Sequence, residues 1–238
     1  MKADYITIPL AIIVAGVIIG GAFYLSQPKQ NLSKAGLTST QLSNVTAGMR
    51  PVTADDHILG NPNADVVIVE YSDTECPYCK QFQSTMQRVM NEYGPTGQVA
   101  WVYRQFPIKE LHSKAPNEAE ATECVNELGG PAKFWSFLNL IYSQTPSDNG
   151  LDPAELPKMA SATGIDVKQF NTCLASGKYG AKVQTDYNEA VGMGAQGTPY
   201  LVLITKDGAK TPISGAEPYD ALKSIIDTLL SSATTTAQ

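Results

Sequence analysis

A strand followed at once by a helix that begins with two cysteines is the feature that most constrains this fold. Residues 66–69 form an apolar, β-branched run that continues to Tyr71 and predicts a strand buried on both faces of a sheet. The sequence CPYC follows at residues 76–79 and opens a stretch of helical periodicity that ends at Gly94. A second apolar run at about 98–106 then predicts two parallel strands joined by a right-handed crossover helix.

The remainder of the chain predicts helices and then a return to strands. Residues 109 to about 194 contain several helical segments separated by Gly, Pro and Asp stops. Residues 200–205 and 210–214 flank a Lys-Asp-Gly turn and predict a hairpin. A last amphipathic helix follows Pro218. The predicted order is therefore strand, helix, strand, helical block, hairpin and helix.

The N-terminus differs from the rest of the chain. Residues 6–25 carry no charge and are long enough, as a helix, to cross the hydrocarbon core of a bilayer. We expect a retained transmembrane anchor, with a cleaved signal peptide as the alternative. The Lys and Arg residues around this segment are too evenly divided to decide its orientation. The polar residues that follow, 27 to about 50, have the composition of a flexible tether.

The charge balance argues against nucleic acid as a ligand. Lys and Arg total 17 against 23 Asp and Glu, which gives a net charge of −6 at pH 7. No run of basic residues is present to neutralise phosphates.

Four cysteines restrict the chemistry further: Cys76, Cys79, Cys124 and Cys173. A structural zinc site usually takes two close pairs, and only one close pair exists here. His57 and His112 lack ligand spacing with any other candidate. We therefore predict no metal. An even cysteine count behind an export-type N-terminus is typical of an oxidising compartment.

The placement of Cys76 predicts a reactive thiolate. In the first turn of a helix, free backbone N–H groups and the helix dipole lower the pKa of a thiol. Cys79, one turn later on the same face, can attack a mixed disulfide formed at Cys76. Pro77 suits the first turn because its missing N–H has no partner there. An inert structural disulfide is the alternative, but such a bond would not require the junction of strand and helix.

A second motif, Gly-Thr-Pro-Tyr, precedes the strand at 200–205. A Pro directly before an apolar strand removes a hydrogen-bond donor from the sheet. A cis peptide bond between Thr198 and Pro199 would explain why a proline occupies this position.

Taken together, these motifs over residues 54–231 resemble the thioredoxin fold of the DsbA-like thiol–disulfide oxidoreductases. The chain is most similar to the membrane-anchored or lipid-anchored members that carry a second cysteine pair. The resemblance implies an α/β fold, in which a central mixed β-sheet flanked by helices carries an inserted α-helical sub-domain and follows one N-terminal transmembrane helix.

The resemblance also implies roles for individual residues. Cys76 is the expected nucleophile, Cys79 the resolving thiol and Pro199 the cis-proline that faces them. Thr198 is expected to offer backbone hydrogen bonds to a substrate strand. From their places in the two motifs, Pro77, Tyr78 and Pro199 are also expected to contact the substrate, and Tyr78 and Tyr200 to shape the surface where a substrate loop docks.

Two further expectations follow from the resemblance. The resemblance implies a disulfide between Cys124 and Cys173, and it implies no cofactor. Many members carry His at the position of Tyr78, and Glu75 adds a negative charge beside the nucleophile. Both residues are expected to keep the pKa of Cys76 intermediate within the range of the fold.

The predicted function is thiol–disulfide exchange on cysteine-containing exported proteins, with the catalytic domain on the extracytoplasmic side of the cell membrane. If the chain is an oxidase, the resemblance implies a quinone-linked membrane partner that reoxidises it. An isomerase or reductase, and a non-catalytic binding or chaperone module, are the alternatives.

The domain organisation expected from the sequence has five parts. They are a transmembrane anchor at 1–26, a flexible linker at 27–53, a thioredoxin-like domain at 54–108 and 195–231, a helical insertion at 109–194, and a disordered tail at 232–238.

The sequence also predicts roles for His112 and for the aromatic residues of one helix. His112 is expected to cap or pack at the start of the insertion, with a catalytic base as the alternative. Four residues of one helix are expected to pack in the core, with a peptide-binding groove as the alternative: Phe134, Trp135, Phe137 and Leu138.

Overall fold

The computed structural model describes residues 46–235, and its side chains through residue 232. Five strands are present in this part of the chain: β1 (His57–Gly60), β2 (Val66–Ser72), β3 (Val99–Gln105), β4 (Tyr200–Thr205) and β5 (Lys210–Ser214). Seven α-helices accompany them: α1 (Pro77–Tyr93), α2 (Ala115–Gly129), α3 (Pro131–Gln144), α4 (Leu156–Ala162), α5 (Val167–Ala175), α6 (Gly180–Gly192) and α7 (Tyr219–Thr235). A short 3₁₀ turn, Pro153–Glu155, precedes α4.

The strands form one mixed sheet in the order β1-β3-β2-β4-β5. β2 and β3 are parallel, with Val66 opposite Val99 and Ser72 opposite Gln105, and α1 connects them. All other pairs are antiparallel, including the β4–β5 hairpin. The predicted parallel pair, hairpin and thioredoxin fold are therefore confirmed.

Residues of β2 alternate between the two faces of the sheet, as the pleat requires. Val66 and Ile68 pack in a core that includes residues of α1, α3 and α7. Val69 and Tyr71 pack on the other face in a core that includes residues of α6. Because Glu70 has the parity of Val66 and Ile68, it faces the side of the sheet that α1 covers.

The helical insertion has an apolar core of its own. Its centre is formed by buried residues of α2 to α5, among them Cys124, Phe137, Phe170 and Cys173. The aromatic residues of α3 are buried, with Trp135 only 6% exposed, so that their interpretation as core is confirmed. α6, which was expected within the insertion, packs on β2 and β3 as well as on α2.

The segment before β1 is not the flexible tether that was expected up to residue 53. Met49 is buried, and the Arg50 side chain contacts Asp56, Asp186 and Glu189. Buried Arg104 of β3 also forms ion pairs with Asp56 and Glu189. Ion pairs between the segment before β1, β3 and α6 therefore hold residues 49–56 in place. Burial of Met49 and the ion pairs of Arg50 thus hold the end of the predicted linker, whose residues 27–45 lie outside the described part of the chain.

Two further expectations need correction. The tail was expected to be disordered from residue 232, but α7 continues to Thr235. The Ser231 and Ser232 hydroxyls both donate to the carbonyl O of Thr228, which satisfies polar groups at the helix end. β1 was not predicted, because four residues with mixed burial give no clear period.

No helix within residues 46–235 has the length and apolarity needed to cross a membrane. The predicted span at residues 6–25 lies outside the described residues.

Candidate active site

The turn between β2 and α1 presents Cys76 at the start of the helix. Cys76 is the residue that caps α1, its backbone is extended, and Pro77 occupies the first turn. Its N–H donates to the carbonyl O of Asp73 over 3.2 Å, which closes the turn. The sulfur therefore lies at the end of the helix where backbone N–H groups lack helical partners.

These surroundings lower the pKa of the Cys76 thiol to about 6, although its side chain is nearly buried. The largest cause is a hydrogen bond from the Cys79 thiol. Burial opposes it, because burial raises the pKa of a thiol. The Thr198 side chain and the N–H groups of Cys79 and Tyr78 lower the pKa further. The value agrees with the intermediate one expected from the sequence. At neutral pH, Cys76 is a thiolate.

Cys79 has the opposite character. Its side chain is wholly buried, and burial together with the negative charge of Cys76 raises its pKa well above the ordinary value. Cys79 therefore keeps its proton while Cys76 loses one. This asymmetry makes Cys76 the attacking sulfur and Cys79 the resolving thiol.

The loop before β4 lies against the Cys76 sulfur. The Thr198–Pro199 peptide bond is cis. The Sγ of Cys76 is 3.5 Å from the carbonyl O of Thr198. The Thr198 hydroxyl is buried and has no hydrogen-bond partner among the described residues, and its nearness to the sulfur lowers the pKa of Cys76. The structure thus brings the CPYC and Gly-Thr-Pro-Tyr motifs together, although 122 residues separate Cys76 and Thr198.

The two residues between the cysteines face solvent. Pro77 is exposed, and Tyr78 is 64% exposed. Pro199, in contrast, is buried. The outer surface of the site is therefore provided by Pro77 and Tyr78.

A buried acid, Glu70, was missed in the sequence. It is fully buried, accepts a bond of 2.9 Å from the Trp101 indole N–H, and has no partner for its other oxygen in the described structure. Burial raises its pKa to about 7, and its charge acts on Cys79. The available signal was an acidic residue inside an apolar strand, at the parity that faces the cysteine helix.

His112 joins the site through Asp73. Its Nδ1 lies 2.9 Å from Asp73 Oδ2, and Asp73 also accepts the N–H groups of Glu75 and Ile108. Burial opposes the charge on His112, but Asp73, Cys76 and Asp148 together raise its pKa. The packing role expected for His112 fits these contacts, and its cation also lies in the field of the thiolate.

The other two cysteines form a disulfide between α2 and α5. The Cα atoms of Cys124 and Cys173 are 5.9 Å apart, and the residues are 49 positions apart in sequence. Both lie in the apolar core of the insertion. Within residues 46–235, no group of three or more His, Cys, Asp or Glu side chains is placed to hold a metal ion.

Comparison with known proteins places this site in a family. Residues 52–228, well over half of the chain, match the family described as Thioredoxin. Among solved structures, DsbA2 of Pseudomonas aeruginosa is 26% identical with a TM-score of 0.65, over 76% of this chain and 97% of that one. The alpha-DsbA1 of Wolbachia pipientis, at 20% identity, has a TM-score of 0.70 over 82% of this chain and 100% of that one, and shows the fold alone.

The curated relatives are longer proteins. The Na(+)/H(+) antiporter NhaA 3 of Salinispora tropica is 32% identical over 152 residues, which are 63% of this chain but 22% of that relative. The chain thus spans less than a quarter of that protein.

The match over residues 52–228 and the likeness to DsbA2, joined to a cysteine pair that faces a cis-proline, agree with the resemblance seen in the sequence. The chain belongs to the thioredoxin family, among its DsbA-like thiol–disulfide oxidoreductases.

Proposed function

We propose that this chain exchanges disulfides with cysteine-containing proteins through Cys76 and Cys79. The observation that carries the proposal is the asymmetry of the two thiols. Cys76 has a pKa of about 6 and lies beside the cis-proline loop, whereas Cys79 is buried with a raised pKa.

The reaction with a substrate disulfide has two steps. In the first, the Cys76 thiolate attacks one substrate sulfur, the substrate S–S bond breaks, and the other substrate sulfur leaves as a thiolate. In the second, Cys79 gives its proton to Glu70 and attacks the sulfur of Cys76. A Cys76–Cys79 disulfide forms, and the second substrate thiolate leaves. Two electrons have then passed from the protein to the substrate.

Run in reverse, the same steps oxidise a substrate dithiol. A low pKa of the attacking cysteine stabilises the reduced protein, which favours uptake of electrons from a substrate. We therefore propose oxidation as the direction in the cell, with exported proteins as substrates. A quinone-linked membrane thiol oxidase would then remove the two electrons and restore the Cys76–Cys79 disulfide.

An extracytoplasmic location is part of this proposal. The Cys124–Cys173 disulfide supports it, because such bonds persist in oxidising compartments. The uncharged residues 6–25 would hold the domain at the membrane. Labelling of intact cells with a membrane-impermeant amine reagent tests this: the lysines beyond residue 46 are labelled if the domain is outside and protected if it is inside.

Trapping tests the chemistry. The reduced Cys79→Ala chain is mixed with a disulfide-linked peptide and quenched in acid, and intact mass is measured. Because the resolving thiol is missing, we expect a stable peptide adduct on Cys76. The matched Cys76→Ala, Cys79→Ala chain should form none. A Cys79→Ala chain that stays unmodified, while its Cys76 still reacts with a small alkylating reagent, would favour the non-catalytic binding module.

A further inference from the structure

Glu75, directly before the nucleophile, fastens a distant loop to the active-site turn. Its side chain is fully buried, and its two carboxylate oxygens accept the N–H groups of Gly150 and Leu151, each over 3.1 Å. Its carbonyl O accepts the N–H of Asp148 over 2.9 Å. We call residues 145–151, between α3 and the 3₁₀ turn, the strap loop. The Glu75 side chain therefore bonds the strap loop, a role that the sequence analysis, which noted only its negative charge beside Cys76, did not predict.

The strap loop has a backbone that needs such support. Ser147, Asp148 and Asn149 are three consecutive non-glycine residues in the left-handed region, with φ of 68°, 53° and 67°. This conformation is unfavourable for residues with a Cβ and persists where neighbouring contacts impose it. The Asn149 side chain adds bonds to the N–H of Lys114 and the carbonyl O of Leu111.

A second buried carboxyl group lies against Glu75. Glu118 of α2 is 2% exposed and accepts a bond of 2.6 Å from the Thr74 hydroxyl, and the Glu75 carboxyl group is a near neighbour that raises its pKa. Neither carboxyl group forms an ion pair with a cation in the part of the chain that the structure describes. Two buried carboxylates in contact repel strongly, so that such a pair retains one proton.

The surrounding charges strengthen this conclusion. Burial, followed by the contact with Glu75, raises the pKa of Glu118 to about 8. The charged groups around the pair and the strap loop come from the active-site turn, α1, the strap loop and the loop before α2: Asp73, Cys76, Asp148, His112, Lys114 and Lys80, whose ammonium donates to the carbonyl O of Thr145. His112 is bound to Asp73, and the Lys114 ammonium donates to the carbonyl O of Leu151 rather than to a carboxylate.

We propose that Glu118 stays protonated against Glu75 and that the two act as positioning residues, holding the strap loop as a wall beside Cys76 against which the substrate chain rests. The proposal rests on the thiol–disulfide exchange proposed above. Asp148, whose side chain is 75% exposed, is one of the strap-loop residues that reach solvent, with Pro146 and Gly150, and its N–H is bonded to the residue next to the nucleophile.

The pair predicts how opening of the strap loop depends on pH. When the loop opens, Glu118 gains water and returns toward its ordinary pKa of 4.5, whereas with the loop closed its pKa is about 8. The closed loop therefore binds more protons than the open one between these values. The stability of the closed loop therefore falls as the pH rises across this window. The equilibrium constant for opening increases by about tenfold per pH unit and becomes constant above pH 8.

Hydrogen exchange tests this directly. The full 238-residue chain is studied with Cys76 and Cys79 oxidised, so that neither thiol titrates, and protection of the Gly150 and Leu151 amides is followed from pH 5 to 9 after correction for intrinsic exchange. The Glu118→Gln side chain can still bond Thr74 and lie against Glu75 but carries no titratable proton. We therefore expect the protection of the two amides in this chain to change with pH much less than in the wild type. His112 also titrates in this range, and the difference between the two chains removes its contribution.

Two other chains complete the comparison. Glu75→Gln loses one acceptor for the strap N–H groups, so that we expect weaker protection at every pH. Glu110→Gln, an exposed residue in the loop before α2, is the matched control and should follow the wild type. Equal slopes in the wild type and Glu118→Gln would overturn the proposal.

The kinetic readout links the pair to the reaction. Reduced chains are mixed with a disulfide-linked peptide between pH 7 and 9, where Cys76 is already a thiolate. We expect the wild-type rate constant to fall by up to about tenfold across this range as the wall loosens, because small misplacements of reacting groups are costly. The Glu118→Gln rate constant should stay level, and parallel profiles for the two chains would contradict the positioning role. Absence of reaction in every chain, with the difference in protection slopes intact, would instead refute the proposed exchange.

Discussion

The two cysteine pairs of this chain contain the same side chains in different surroundings. Cys76 and Cys79 are one helical turn apart at the start of α1, beside Thr198, and the charge of Glu70 acts on Cys79. Cys124 and Cys173 join two helices at the centre of an apolar cluster. The first pair has hydrogen-bond donors that stabilise a thiolate, and the second has none of the features that activate sulfur. Position relative to a helix start and to polar partners therefore decides which pair exchanges electrons and which one braces the fold.

The largest effect is expected from removing the nucleophile. Cys76→Ser should lower the rate of exchange with a peptide disulfide by more than about a thousandfold, because Cys79 is buried and protonated. Stopped-flow measurement with a fluorogenic disulfide peptide checks this. A residual rate within tenfold of the wild type would mean that Cys79 or a cysteine of the second pair can attack.

Removing the second pair should instead affect stability. A bond that closes a loop of 49 residues contributes roughly 4 kcal/mol in the chain-entropy model. We expect Cys124→Ala, Cys173→Ala to lower the free energy of unfolding by about that amount in urea titrations, while exchange per folded molecule changes by no more than about twofold. A large loss of exchange in the folded double variant would show that the pairs are coupled.

Glu70 should control the second step alone. Glu70→Gln removes the proton acceptor beneath Cys79, and loss of a general base typically slows a step by about a hundredfold. Because the pKa of Glu70 is about 7, the wild-type rate of resolution should rise with pH through that value, and the variant should lack this rise. The lifetime of the mixed disulfide after acid quenching measures both. An unchanged lifetime would remove Glu70 from the mechanism.

The smallest effect is expected at Tyr78. Tyr78→His places an imidazole beside the sulfur, and a nearby cation lowers the pKa of a thiol by about one unit at an exposed position. The reduced chain should therefore show its thiolate absorbance near 240 nm at lower pH than the wild type. Tyr78→Phe is the matched control, and we expect its titration to follow that of the wild type. A titration of Tyr78→His that does not move would show that N–H groups and Cys79 alone set this pKa.

Local patterns were sufficient to predict most of the secondary structure and the central site. The apolar run of β2, the periodicity of α1 and the Pro before β4 are local signals with direct physical causes. The family resemblance added the meeting of Cys76 with the loop that contains Thr198 and Pro199. The sequence alone could not bring together residues that are more than a hundred positions apart.

What the sequence did not predict depends on contacts between segments. Arg50 is part of an ordered segment because it finds Asp186 and Glu189, which belong to α6. Glu75 is a buried anchor because the strap loop supplies two N–H groups and Glu118 supplies a carboxyl group. Polar residues in such roles have the composition of solvent-exposed residues, and their partners follow no periodicity.

Redox titration of the full chain tests the contrast between the two pairs most directly. The chain is equilibrated in glutathione buffers of known potential, quenched in acid, and its free thiols are counted by mass tagging at each cysteine. We predict that Cys76 and Cys79 become reduced together at a potential between about −120 and −270 mV, while Cys124 and Cys173 remain bonded until the chain is denatured in strong reductant. A Cys76–Cys79 couple below about −300 mV, or tags that appear first on Cys124 and Cys173, would contradict this assignment.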